Sequence, residues 1–188
     1  MTTVREFRNL HTHGFARVAA CTVPVAMADP ATNAARIAEQ VQALHDDGVD
    51  VALFPELSLS GYAIDDLLLQ DVLLDAVDAA VVDLAKATAK LRPVVVVGAP
   101  IRSGARLYNC AVVLHRGEVL GVVPKVNLPN YREFYEKRHF ADGVDQRDAW
   151  LTPDLFRFGA SSLLTDIERQ LEHNVSGFYS AAHRHAMP

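Results

Sequence analysis

The sequence predicts an α/β layered fold in which two helices cover a sheet. Apolar runs of strand length alternate with two stretches that repeat apolar residues at helical spacing. The run VVVVGAP at 94–100 is typical of a buried strand, and two further strand-like runs follow it. The predicted order is strand, helix, strand, helix, strand, strand, strand, which favours an α/β architecture.

The first half of this order is supported by signals at the element ends. Residues 17–23 alternate loosely and predict a strand. Asp29 followed by Pro30 predicts a helix start, because aspartate caps free amides and proline suits the first helical position. Gly48 predicts its end. Between Asp29 and Gly48 the predicted helix carries an apolar stripe of Ile37, Val41 and Leu44. The run 51–55 that follows is short and apolar, as expected for a strand covered on both faces.

The second half begins with a helix inside residues 65–91, which Pro93 is expected to end. Its predicted buried side consists of Val77, Val81, Leu84 and Leu91. Residues 107–126 predict two strands joined by a turn at Arg116 and Gly117.

The sequence divides into two regions of different character. Residues 1–143 contain all the predicted strands, whereas 144–188 form a divergent tail with one helix at about 160–172. The tail is otherwise expected to be irregular, and its last dozen residues are expected to be disordered.

Composition excludes several classes of partner. The net charge of −5 and a pI near 5.9 offer no basic surface for nucleic acid, and no apolar run reaches the length of a membrane helix. The amino terminus lacks the pattern of a signal peptide, and two cysteines form no disulfide framework, so a cytoplasmic location is expected. The histidine pairs at 11–13 and 183–185 lack a third ligand, and no metal site is expected.

Two charged residues stand at predicted strand ends, where functional side chains converge in α/β folds. Glu56 follows 51–55, and Lys125 closes the second strand of 107–126. Spacing alone leaves a structural ion pair and a catalytic pair both open. Catalysis would need a third group: a carboxylate can deprotonate a thiol, and an ammonium can stabilise the oxyanion formed when the thiolate attacks an amide.

Four motifs carry a specific resemblance. PELSLSGY, VVVVGAP, LYNCAVVLHRGEVLGVVPK and LPNYREFYEKRHFADG occur in this order between His13 and Gly143. They resemble the N-terminal glutaminase domain of glutamine-dependent NAD⁺ synthetases, within the nitrilase (carbon–nitrogen hydrolase) superfamily, and HGFARVAAC with SGYAIDDLLLQD is similar to the actinobacterial form. The resemblance implies the first half of an α–β–β–α sandwich and glutamine as substrate.

The resemblance also implies roles for individual residues. Glu56 matches the general base, Lys125 the lysine that stabilises the tetrahedral intermediate, and Glu136 a second glutamate that supports this lysine. Tyr131 matches a glutamine-binding tyrosine. Tyr62 resembles pocket wall, as does Phe134; for all three aromatics a plain core role stays open.

The chain departs from the family pattern at the nucleophile. The family's cysteine lies in a Cys-Glu-Asp sequence after the lysine, and no such tripeptide occurs here. Cys21 and Cys110 lie within predicted strands and are expected to be core residues. The ATP-handling SGGxDS motif is also absent, so no cofactor is expected here; ATP and deamido-NAD⁺ would belong to a synthetase domain.

Three hypotheses follow for function. The chain is the leading part of a glutamine-dependent NAD⁺ synthetase truncated before its cysteine, an inactive remnant or partner-dependent binding module, or a stand-alone amidase. YREFYEKR and SGYAIDDLLLQD favour the synthetase branch over the amidase. Half of a sandwich would leave one sheet face open to water, which predicts self-association through that surface.

Overall fold

The computed structural model describes residues 9–144, and the backbone of 149–152 and 156–158. In this part of the chain seven strands form one sheet in the order β1-β2-β3-β4-β5-β7-β6. Strands β1 to β3 are parallel, β4 runs against both β3 and β5, β7 is parallel to β5, and β6 is antiparallel to β7. The strands are β1 (Val18–Ala20), β2 (Val51–Leu53), β3 (Val94–Ser103), β4 (Arg106–His115), β5 (Glu118–Pro124), β6 (Ala149–Thr152) and β7 (Phe156–Phe158).

Two helices cover one face of the sheet. Helix α1 spans Pro30–Asp46 and helix α2 spans Asp71–Ala87. Asp29 caps α1 by accepting a hydrogen bond from the Thr32 amide at 3.1 Å, as the sequence predicted. The apolar sides of both helices pack on alternate sheet residues and form the main core, which includes Ile37, Val41, Val77, Val81, Leu84, Val95, Val97, Val112 and Leu114.

The predicted order of elements is confirmed, with differences at their ends. Helix α2 ends at Ala87, before Pro93 is reached, and Thr88 caps it with its amide donating to the Leu84 carbonyl. The hairpin turn lies at Arg116 and Gly117 as predicted, and both residues have positive φ. Strands β6 and β7 were not expected from the sequence, and the helix predicted at 160–172 lies outside the described residues.

A buried carboxylate links β2 to the rest of the domain. Asp50 is 4% exposed and accepts hydrogen bonds from the Arg17 amide and from the Arg92 guanidinium, the latter at 2.6 and 2.9 Å. His11 lies 3.6 Å away through Nδ1. Asp50 therefore ties the start of β2 to the segments before β1 and β3.

Replacing Asp50 by alanine is expected to lower the free energy of unfolding by about 2–3 kcal/mol, because the charged hydrogen bonds to Arg17 and Arg92 are lost in a buried place. Urea unfolding measures this value. Asp83→Ala removes an exposed carboxylate that faces only Lys86 at 3.7 Å and should change stability by less than about 0.5 kcal/mol. Equal losses in the two variants would contradict the prediction.

The described helices include none with the length and apolar character needed to cross a membrane.

Candidate active site

The site lies where three strands bring polar residues to one edge of the sheet. Glu56 follows β2 and Lys125 follows β5. These strands point the same way, because β4 reverses direction between β3 and β5. Their carboxyl ends therefore meet at the same edge, which is where ligand sites form in α/β sheets.

An ion-pair network joins the three predicted charged residues. Lys125 Nζ lies 2.7 Å from Glu56 Oε1 and 3.0 Å from Glu136 Oε1. The exposed side-chain fractions are 41% for Glu56, 30% for Lys125 and 4% for Glu136. One carboxylate thus faces solvent, the other is buried, and the ammonium lies between them.

The network keeps Lys125 charged. Burial alone would lower the pKa of its ammonium, but hydrogen bonds to Glu56 and Glu136 and their negative charges outweigh burial and raise the pKa above its usual value. Because the pKa is raised on folding, this group stabilises the fold at neutral and acidic pH, and the contribution is lost only in strong base.

Glu136 is held by a second donor. It begins a short 3₁₀ turn, Glu136–Arg138, and its Oε1 accepts a hydrogen bond from the Tyr62 hydroxyl at 2.8 Å. Burial and the hydrogen bond to Glu136 both raise the pKa of Tyr62, so the phenol remains a donor. Oε1 of Glu136 therefore receives hydrogen bonds from both Tyr62 and Lys125.

The turn that carries Glu56 sits directly on β3. Leu57 has a φ of 50°. Further along the same turn, the main-chain amide of Leu59 donates a hydrogen bond to the Gly98 carbonyl at 3.1 Å. A Cβ on Gly98 would lie 2.2 Å from the Leu57 nitrogen and 2.6 Å from the Pro55 oxygen. Only glycine permits this approach, so Gly98 sets the position of Glu56.

The aromatic residues border a small cavity beside the ion pairs. Tyr62, Phe134 and Glu136 line this cavity of about 170 Å³. Tyr131 is 64% exposed and meets Phe134 edge to face, with ring centroids 5.8 Å apart. The structure thus places Tyr62 and Phe134 next to Glu136, and Tyr131 on the outer side of Phe134.

Comparison with known proteins identifies the family. The model of the carbon–nitrogen hydrolase family matches residues 17–162. The chain belongs to this family. Among curated carbon–nitrogen hydrolase relatives, the glutamine-dependent NAD(+) synthetase of Mycobacterium tuberculosis is 58% identical over 142 residues, which cover 76% of this chain and 21% of the relative. That of Mycobacterium leprae is 52% identical over 167 residues, or 85% of this chain and 24% of the relative.

Solved structures agree with the fold predicted for a carbon–nitrogen hydrolase. The glutamine-dependent NAD(+) synthetase of Cytophaga hutchinsonii superimposes with a TM-score of 0.69 at 25% identity, covering 77% of this chain and 25% of that one. An amidase from Nesterenkonia sp. superimposes with a TM-score of 0.61, covering 72% and 51%. The chain spans about a fifth to a quarter of the length of the synthetases it matches. The superposition on the solved structure confirms the predicted partial nitrilase-like fold.

Both cysteines of this carbon–nitrogen hydrolase chain belong to the helix-facing side of the sheet. Cys110 follows Asn109 on β4, and successive strand residues point to opposite faces. Cys110 is buried in the main core, and burial raises the pKa of its thiol. Cys21 packs against the same core, and burial raises its pKa as well. Within the described residues, neither sulfur is a hydrogen-bond partner of Glu56 or Lys125.

Sequence reasoning missed two contacts of the site. Asn109 donates to Glu56 Oε1 from the middle of β4, and Tyr62 bonds Glu136 through its hydroxyl. The signal for Asn109 was present, since an amide inside the apolar run LYNCAVVL needs a hydrogen-bond partner when buried. No local pattern indicated the hydroxyl contact of Tyr62.

A salt bridge holds the turn after Glu136. Asp66 accepts two hydrogen bonds from Arg138, at 2.8 and 2.9 Å, and one from His139. These partners lower the pKa of Asp66 to about 2.

The Asp66 contact is expected to persist at pH 4 and to break near pH 2. Because the pKa is lowered on folding, the contact stabilises the turn above the ordinary aspartate pKa and is lost as pH falls through about 2. The Arg138 Nε–H NMR signal measures it during an acid titration. In Asp66→Asn the Arg138 Nε–H signal should have, at every pH, the chemical shift that the wild type shows only below pH 2. A transition near pH 4 in the wild type would contradict the contact between Asp66 and Arg138.

Proposed function

We propose that this chain is the leading part of the glutaminase domain of a glutamine-dependent NAD⁺ synthetase. The observation that carries the proposal is the network of Glu56, Lys125 and Glu136, with one ammonium between an exposed and a buried carboxylate. Relatives that share 52–58% identity bear this name, and the motifs around all three residues resemble the family pattern.

Each charged residue has a distinct task in this proposal. In the full glutaminase domain, Glu56 removes the proton from a cysteine thiol that neither Cys21 nor Cys110 supplies, and the thiolate attacks the side-chain amide carbon of glutamine. Lys125 stabilises the oxyanion, and Glu136 with Tyr62 holds Lys125 in place. Collapse of the intermediate breaks the C–N bond, the leaving nitrogen takes the proton from Glu56 and departs as ammonia, and a thioester remains; water then hydrolyses the thioester to glutamate and restores the thiol. Tyr131 and Phe134 contact glutamine from the outer side.

Glutamine binding tests the site directly. Titrating glutamine into the isotope-labelled chain should shift the NMR signals of Lys125 and Tyr62 in a saturable way. Lys125→Met should abolish the shifts, whereas Lys86→Met, an exposed lysine on α2, should leave them unchanged. Wild-type signals that do not respond to glutamine would contradict the proposed substrate.

The purified chain is expected to release no ammonia from glutamine. Cys110 lies in the core and Cys21 packs against it, so Glu56 and Lys125 have no thiol beside them, and members of a catalytic set do not act additively. An ammonia assay with and without glutamine measures this. Turnover that survives the double variant Cys21→Ser and Cys110→Ser would show that the chemistry is different.

A binding role is the second candidate, favoured by an open sheet face. On the face opposite the helices, Val18 is 69% and Leu53 is 52% exposed, and Val96 and Val123 are half-buried. We propose that copies of the chain associate through this face, because an exposed apolar sheet surface favours pairing.

Two unpaired cysteines agree with the cytoplasmic location proposed for the protein.

Sedimentation velocity is expected to show concentration-dependent association. Leu53→Lys should reduce it, because a charge in the open face opposes burial of that surface. Val72→Lys is the control, since Val72 is 83% exposed on α2. A compact monomer at all concentrations would rule out this surface as an interface.

A further inference from the structure

Asn109 is a buried amide at the centre of the ion-pair network. It is 3% exposed and lies on β4, between β3 and β5. Its main-chain carbonyl accepts a hydrogen bond from the Lys125 amide at 2.7 Å. The backbone of Asn109 therefore fixes the point where Lys125 leaves the sheet.

The side chain of Asn109 reaches the other member of the pair. Its Nδ2 donates to Glu56 Oε1. An ionised carboxylate only accepts hydrogen bonds, so the amide must present its NH₂ group to Glu56. The same oxygen accepts from Lys125 Nζ at 2.7 Å. One residue thus contacts the base through its side chain and the lysine through its backbone.

Lys125 alone is a weak restraint on Glu56. Its ammonium sits on a flexible stem and is shared with Glu136, whereas Asn109 is anchored in the middle of a sheet. Glu56 is 41% exposed, and a single hydrogen bond would leave its carboxylate free to rotate. A second donor from a rigid strand fixes the orientation of the carboxylate.

We infer that Asn109 is the positioning residue of Glu56 and determines which carboxylate oxygen acts as the base. Oε1 keeps its two donors throughout, while Oε2 takes the thiol proton and later gives it to the leaving nitrogen. In the described part of the chain, no hydrogen-bond donor is assigned to Oε2. The proton transfer through Oε2 rests on the proposed function, whereas the hydrogen bond from Asn109 to Glu56 is independent of it.

The test uses two variants of nearly the same shape. Asn109→Asp removes the donor and places a second carboxylate against Glu56, and Asn109→Leu removes the whole polar group without adding a charge. Both are expected to abolish the nuclear Overhauser contacts between the Glu56 Cγ hydrogens and the Lys125 hydrogens next to Nζ. Asn130→Asp, the same change at an exposed position, should retain them. Contacts that persist in both Asn109 variants would overturn the inference.

A measurement on Glu56→Gln keeps the inference testable if the Asn109 variants do not fold. Glu56 lies at the surface end of its turn, and its replacement leaves the core unchanged. The side-chain amide hydrogen of Asn109 should move upfield when the carboxylate becomes a neutral amide, because the charge-assisted hydrogen bond is lost. An unchanged signal would overturn the inference. Neither readout uses glutamine, so failure of glutamine binding would count against the proposed function only.

Discussion

Lys125→Met is expected to lower the free energy of unfolding by about 2–3 kcal/mol at pH 7. Removing one partner of a buried ion pair costs about 3–5 kcal/mol, and the smaller value applies because Lys125 itself is 30% exposed. The cost arises at Glu136, which is 4% exposed and would lose its counter-ion. Urea unfolding of the purified chain measures this loss.

Two comparisons separate this cause from simple loss of packing. Adding Glu136→Gln to Lys125→Met should recover part of the loss, which a double-mutant cycle measures. Lys86→Met should have little effect. A loss that is additive with Glu136→Gln would contradict the buried-charge explanation.

Gly98→Ala is expected to cost about 3 kcal/mol, at the upper end of the range for overpacking. The added Cβ would lie 2.2 Å from the Leu57 nitrogen and 2.7 Å from the Glu56 carbonyl carbon, and main-chain atoms cannot move aside as a flexible side chain can. The turn must shift away from β3, which would carry Glu56 away from Lys125. Unfolding experiments and the Glu56–Lys125 Overhauser contacts measure both effects.

Gly104→Ala is the matched control for Gly98. It makes the same chemical change in the β3–β4 turn, where no atom lies within 4 Å of the added Cβ. Its φ of 59° makes alanine strained by about 1–2 kcal/mol. If Gly98→Ala loses no more stability than Gly104→Ala and keeps the Glu56–Lys125 contact, the close approach does not position Glu56.

The sequence predicted the fold where patterns are local. Helix α1 was predictable because Asp29 and Gly48 mark its ends and its apolar residues repeat at helical spacing. The end of α2 was not predictable, because the helix stops at its cap, Thr88, whereas the local signal in the sequence is Pro93, further along the chain. Strands β6 and β7 carry no β-branched run, and the pairing of β7 with β5 is a long-range feature.

The candidate site was predictable in its charged residues and less so in their supports. Glu56 and Lys125 follow strands, so their positions predict that they lie at one sheet edge, whereas Glu136 and the roles of all three came from the resemblance. Asn109 and Tyr62 reach their partners across 53 and 74 positions. Such contacts depend on sheet register and loop path, which no local pattern in the sequence encodes.

The segment that follows β5 returns to its own starting point. The Gly143 amide donates to the Lys125 carbonyl at 3.0 Å, and Glu136 bonds Lys125 from within the same segment. Arg132 and Glu133, which lie between these two anchoring contacts, are exposed to solvent. The segment is therefore a closed loop: a substitution in its exposed middle can leave both anchored ends, and the ammonium of Lys125 held there, in place.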